Sequence, residues 1–396
     1  MSYLVQLVLI LILTKIGAHL SNMLNFPSVI GELLVGVVAG PAVLNILAGT
    51  TFIQYFSEIG VIVLMFIAGL EGDLHLLMKF WKPALSVAIL GVIFPTITAA
   101  GLCALAFGFK WTTAVFIGLI LSATSVSISV QVLKEMGKMN SKEGAIILGA
   151  AVADDIICVI LLGICVAFFG NAGSDQPLWL MISTKLLFFV LMLVLGRYFV
   201  PKFMDFFSKL NTSENEATGA VILCFGFAAI AVALGMSDVL GAYFAGIALS
   251  ETKYQKSLAQ KIEPIGYAIF IPVFFVSIGL NISFKGLQND ILFITLLIIV
   301  AILGKQIGGS LGAKMFDLNW SEANIVGAGM ISRGEMALVV SNVALTSQLI
   351  DKNHYTAMIL VTVVTTIIAP VILKLFIQRS NKKNSISSDS LNEVKV

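Results

Sequence analysis

Apolar residues fill blocks of about twenty positions along nearly the whole chain, with short polar joints between them. A membrane-crossing helix needs about 20 predominantly apolar residues, fewer where partners cover its ends. Thirteen spans are expected on that measure: 3–20, 28–47, 55–70, 83–107, 112–133, 144–169, 178–200, 216–235, 238–250, 264–281, 291–313, 321–346 and 355–377. The ninth is too short to cross alone and is kept because of an internal repeat. The opening MSYLVQLVLILILTKIG lacks the basic leader and small-residue cleavage site of a signal peptide and reads as a retained first span.

The chain resembles itself at an offset near 210. Val29-Ile30-Gly31-Glu32-Leu33-Leu34-Val35-Gly36 aligns with Val239-Leu240-Gly241-Ala242-Tyr243-Phe244-Ala245-Gly246, and Ala68-Gly69-Leu70 with Ile278-Gly279-Leu280. Trp111-Thr112-Thr113-Ala114 aligns with Trp320-Ser321-Glu322-Ala323, and the stretch from Val152 through Asp154-Asp155 with that from Val363 through Thr365-Thr366. The near-constant offset carries the case, because any one match between apolar helices is weak. Span 2 then maps onto span 9 and span 6 onto span 13. The copies lie an odd number of spans apart, so they sit upside down relative to each other. Inverted repeats are a signature of secondary transporters, with the substrate site at the midplane between the repeats.

Against this apolar background a few polar groups stand out. Asp154 and Asp155 lie about ten residues into span 6, roughly 15 Å deep at 1.5 Å per residue. A charge at that depth costs about 2.5–3.5 kcal/mol on insertion scales, so the pair needs partners or a water-filled cavity. Neighbours on a helix point about 100° apart, so one can face a cavity and the other an adjacent helix. Lys305, well inside span 11, is the natural counter-ion for one of them. Lys185, nearer the start of span 7, can snorkel to the interface. Span 5 carries Ser122-Ala123-Thr124-Ser125-Val126-Ser127, a run that competes with helical hydrogen bonding. The repeat maps it onto Ser332-Arg333-Gly334-Glu335 in span 12. Both read as mid-span interruptions whose freed carbonyls and helix ends face one cavity. Thr124 and Ser125 can offer oxygens to a small cation, while Arg333 and Glu335 can offset the partial charges of the broken helix ends. Glu32, Glu58, Glu71 and Asp73 sit near span ends and read as interfacial or structural.

Composition narrows the class further. The chain is 58% hydrophobic and only 12% charged, against about 25% charged in soluble domains. A net charge of +2 gives no nucleic-acid footprint. Cys103, Cys158, Cys165 and Cys224 are scattered singly, which supports neither a disulfide framework nor a zinc site. The basic residues fall unevenly. Lys79, Lys82, Lys134, Lys138, Lys142, Arg197, Lys202, Lys209, Lys253, Lys256, Lys261, Lys314 and the tail from Lys374 collect on one side. Lys110, Lys285 and Lys352 alone occupy the other. The rich side is cytoplasmic, which sets the N-terminus outside and the C-terminus inside a cell (inner) membrane. The polar tail, 379–396, is expected to be disordered.

The Ala153-Asp154-Asp155 motif, Thr124-Ser125, Lys305 and Ser332-Arg333-Gly334-Glu335 together resemble the cation:proton antiporters of the NapA/Kef branch. The resemblance covers nearly the whole chain except the tail. It implies an all-α polytopic fold with inverted five-helix repeats and two broken, crossing helices. It also implies a homodimer, with a scaffold at 1–82 and 211–282, a linker helix at 171–210 and a moving core at 83–170 and 283–378. In that family pattern Asp155 binds the cation and Asp154 pairs with Lys305. Kef-type potassium proteins usually carry a cytoplasmic nucleotide-binding domain and a non-acidic residue at the first aspartate position. The chain has neither, which favours the sodium-selective, NapA-like group.

The expected activity is exchange of Na⁺ or Li⁺ for H⁺ by elevator-like alternating access, with no cofactor. Asp155, Thr124 and Ser125 would supply hard oxygen ligands to the metal ion. The Asp155 carboxylate would take a proton in its place. Lys305 would act as a second proton carrier, making the exchange electrogenic. Alternatives are a K⁺/H⁺ antiporter or Kef-like potassium efflux protein, and a Na⁺-coupled organic-anion symporter of the same fold. An intramembrane aspartyl protease needs aspartates facing each other from different helices, and the sequence holds no GxGD. A channel has no need of the inverted repeat or of a buried Lys305.

Overall fold

A computed structural model describes residues 3–169, 178–281, 290–346 and 348–393. Lys285, the end of the tail and the side chain of Glu335 lie outside the described set. Among the described residues the chain is helical and contains no strand. In chain order the α-helices are α1 (Tyr3–Met23), α2 (Ser28–Ala39), α3 (Thr51–Glu71), α4 (Leu74–Lys79), α5 (Trp81–Ala106) and α6 (Trp111–Ser122). Then come α7 (Val126–Glu135), α8 (Lys142–Phe169), α9 (Leu178–Val194), α10 (Val200–Phe207), α11 (Asn215–Ala233) and α12 (Asp238–Ser250). The last are α13 (Gln255–Ile265), α14 (Ile271–Leu280), α15 (Ile291–Lys314), α16 (Trp320–Gly329), α17 (Glu335–Thr346) and α18 (Lys352–Glu393). Single π-helical turns at Leu195–Phe199 and Gly266–Phe270 join α9 to α10 and α13 to α14.

Among the described residues, ten stretches are long and apolar enough to cross a membrane: Tyr3–Met23, Thr51–Glu71, Trp81–Ala106, Trp111–Glu135, Lys142–Leu162, Ser183–Phe207, Asn215–Ala233, Gln255–Leu280, Ile291–Lys314 and Lys352–Asn381. Ser28–Ala39, Asp238–Ser250 and Met336–Leu345 are shorter apolar helices. Several boundaries differ from the sequence expectation, and the span expected at 178–200 runs on to Phe207. The span placed at 28–47 is helical only to Ala39, because Pro41 lacks an N–H and pushes Gly40 out of the helical region. The amides of Leu44, Asn45 and Ile46 then turn back onto the carbonyls of Val38, Gly40 and Ala39. The span placed at 264–281 begins at Gln255 and runs through the π turn. The tail expected to be disordered continues α18 as far as Glu393. Extending a helix already begun adds one hydrogen bond per residue without a new nucleation cost.

Contacts divide the chain into two units. The first is Met1–Leu20, Gly31–Met78 and Gly173–Ser283; the second is Ser21–Ile30, Lys79–Ala172 and Phe284–Val396. Glycine makes close helix packing possible within each. In the first unit, a Cβ on Gly36 of α2 would lie 2.1 Å from the Val276 carbonyl oxygen and 2.9 Å from Gly279 Cα. One on Gly246 of α12 would lie 2.2 Å from the Phe66 carbonyl oxygen and 2.9 Å from Gly69 Cα. Under the repeat offset Gly36 corresponds to Gly246 and Gly279 to Gly69, so the two contacts are one contact with the copies exchanged. In the first unit Lys185 is buried and donates to the carbonyls of Gly235 and Leu234. It caps the C-terminal end of α11 rather than extending to an exposed surface.

Candidate ion site

The second unit builds the site where two helices stop mid-course. Between α6 and α7, Ala123 and Ser125 are extended, with ψ of 139° and 116°. Between α16 and α17, residues 331–334 likewise leave the helix. These two interruptions pair with each other. Ser125 N donates to Ser332 O at 2.8 Å, and Ser332 Oγ donates to Ser125 O at 2.8 Å. Each broken segment thereby satisfies part of the other's freed backbone. Gly334 permits the approach, since a Cβ there would lie 2.6 Å from Ser125 Cβ and Oγ.

Cationic side chains meet the carbonyls freed at the end of α6, where the helix dipole is negative. Arg333, fully buried, donates from Nε (3.1 Å) and Nη2 (2.7 Å) to Leu121 O. It also donates to Ala301 O (2.6 Å) on α15 and to Ile331 O. Lys305 Nζ donates to Ser122 O at 2.5 Å and to Asp154 Oδ1 at 2.8 Å. Both members of that ion pair are 0% exposed. Gly91 on α5 packs against the lysine at ordinary contact distance, its Nζ lying 3.6 Å from where a Cβ at that position would be. Ser129 Oγ donates to Gly329 O (2.5 Å) at the end of α16, and Thr366 Oγ1 on α18 donates to Arg333 O.

Asp154 therefore faces Lys305, while Asp155, one position on, is half-buried. Thr124 Oγ1 and Ser125 Oγ, both on buried residues, make no hydrogen bond within the protein. Among the described residues no cluster of three or more His, Cys, Asp or Glu forms a metal site. Asp154 and Lys305 are thus together at the crossing, with Thr124, Ser125 and Arg333 beside it. Sequence reasoning did not single out Ser129 or Thr366. The repeat aligns Thr366 with Asp155, and that correspondence was the available signal.

The family described as sodium/hydrogen exchanger, transmembrane, matches residues 8–379. A Na⁺/H⁺ antiporter of Enterococcus hirae is 44% identical over 96% of this chain and 99% of its own. The Na⁺/H⁺-K⁺ antiporter GerN of Bacillus cereus is also 44% identical, over 93% of this chain and 95% of its own. In fold the chain is similar to the sodium proton antiporter MjNhaP1 of Methanocaldococcus jannaschii at pH 8. That match has a TM-score of 0.69 and 17% identity, covering 93% of this chain and 94% of the other. The chain belongs to the transmembrane sodium/hydrogen exchanger family of antiporters.

Proposed function

We propose that this protein exchanges Na⁺ or Li⁺ for H⁺ across the cell membrane, with Asp155 as the group for which cation and proton compete. The observation that carries this reading is the division of the aspartate pair: Asp154 is bound to Lys305 in full burial, while Asp155, the next residue along the helix, is half-buried. Thr124 and Ser125 add two buried hydroxyl oxygens without protein partners, the hard donors a small cation prefers. With the cation gone, a proton on Asp155 takes the place of the cation's charge, so the carboxylate is neutral as the site crosses hydrocarbon. A cation that draws Asp154 away from Lys305 would release a second proton from the ammonium and make the exchange electrogenic.

The further parts of this proposal are elevator-like movement of the helices at 83–170 and 283–378, a homodimer scaffold at 1–82 and 211–282, and the N-terminus outside. Potassium as an additional substrate is the second reading, favoured by the name of the GerN relative. The deciding measurement is proton movement in proteoliposomes challenged in turn with Na⁺, Li⁺ and K⁺. Asp155→Asn should abolish cation-driven proton movement, and exchange retained in that variant would remove Asp155 from the site.

A further inference from the structure

Helix α7 starts at the crossing and carries three polar residues at a spacing of four: Ser127, Gln131 and Glu135. Ser127 is 0% and Gln131 7% exposed, and neither Ser127 Oγ nor Gln131 Oε1 has a hydrogen-bond partner in the protein. A buried polar atom left unpaired costs about 1–3 kcal/mol, so two in line on one helix face call for an occupant. The remaining serine of the helix, Ser129, points elsewhere and is committed to Gly329 O.

The orientation of Gln131 follows from its neighbour. The amide faces Glu135 Oε1 at 2.9 Å. A carboxylate only accepts, so the amide nitrogen must be the atom on that side and the amide oxygen must face the other way. Glu135 is itself held by the amide (3.0 Å) and hydroxyl of Ser28, and it is exposed. Eight residues of helix separate Ser127 from Glu135, a rise of about 12 Å. Half the hydrocarbon thickness is about 15 Å, so the row leads from the depth of the crossing to the membrane surface.

We propose that Ser127 Oγ and Gln131 Oε1 form a second, shallower subsite for the transported monovalent cation, with Glu135 as the carboxylate at its mouth. The inference rests on the exchange reading above. Side chains four apart on a helix have Cβ atoms about 5–6 Å apart, close enough for two oxygens to share one small ion. The subsite offers neutral oxygens only, so it holds the ion loosely and passes it on to the charged ligand Asp155. By the lysine bias Glu135 opens to the cytoplasm, so the subsite serves the inward-facing state.

The test uses the full-length protein reconstituted in one orientation. The Na⁺ concentration giving half-maximal proton movement is measured with Na⁺ added at the cytoplasmic face and, separately, at the opposite face. Gln131→Leu and Ser127→Ala are each expected to raise the cytoplasmic value about tenfold, the size of one ion–oxygen contact, while the opposite value stays within about twofold. Gln131→Asn should restore part of the loss. An equal change on both faces, a change confined to the outer face, or no change would overturn the subsite while leaving the exchange reading intact. Absence of Na⁺-driven proton movement in the unmodified protein would overturn both.

Discussion

Replacing Lys305 by Gln removes the ammonium from an Asp154 carboxylate that is 0% exposed. Breaking a buried ion pair by removing one partner costs about 3–5 kcal/mol, because the remaining charge is uncompensated. Asp154→Asn should cost less. Its amide oxygen can still accept from Lys305, and the ammonium keeps Ser122 O at 2.5 Å. Removing both charges leaves two neutral amides in place of the ion pair and no uncompensated buried charge. The double variant should therefore be no less stable than Lys305→Gln alone, which corresponds to a coupling of about 2–4 kcal/mol. Reversible unfolding in mixed micelles, followed for all four proteins, measures this. Single costs that add to within about 0.5 kcal/mol would show that the two side chains act independently and would refute the pairing.

Other perturbations probe the framework. Arg333→Met leaves the carbonyls of Leu121 and Ile331 at the interruptions without the guanidinium, removes a second donor from Ala301 O, and should cost about 3 kcal/mol, visible as a lowered unfolding midpoint. Unchanged stability would mean that the broken helix end does not depend on the guanidinium. Gly36→Ala and Gly246→Ala should each destabilise the fold, since their Cβ atoms would lie about 2 Å from backbone oxygens. Gly226→Ala, within α11 with nothing inside 4 Å of its Cβ, should be neutral or stabilising by up to about 1 kcal/mol. Equal effects at the three positions would refute the close-packing argument.

The parts of the site legible in the sequence are those that break a rule of the bilayer. Asp154, Asp155 and Lys305 are charges at midspan, and a charge in hydrocarbon advertises itself. The interruptions at Thr124-Ser125 and Ser332-Arg333 are likewise visible, since hydroxyl runs and glycine disfavour continuous helix. The choice of partners is different. Nothing local in Arg333 says that it reaches across to Leu121 and Ala301, or in Thr366 that it bonds Arg333 O. Such bonds depend on which helix ends meet in space. Lys185 illustrates the same limit: its depth in the span is compatible with snorkelling, yet it caps α11. The helical continuation of α18 to Glu393 was hidden because composition reports the cost of burial and not the low cost of extending an existing helix.

The exchanged glycine contacts of α2 with α14 and of α12 with α3 bear on how the chain is made. Gly36 and Gly69 emerge from the ribosome early, and their partners, Gly279 and Gly246, belong to the other copy. At 5–20 residues per second the wait is roughly 9–50 s. Neither copy can complete its packing alone, because each supplies the surface the other closes on. The first half must therefore stay in the bilayer with its glycine grooves filled by lipid tails until the second half arrives. Assembly of this unit is the displacement of lipid by helix, timed by translation.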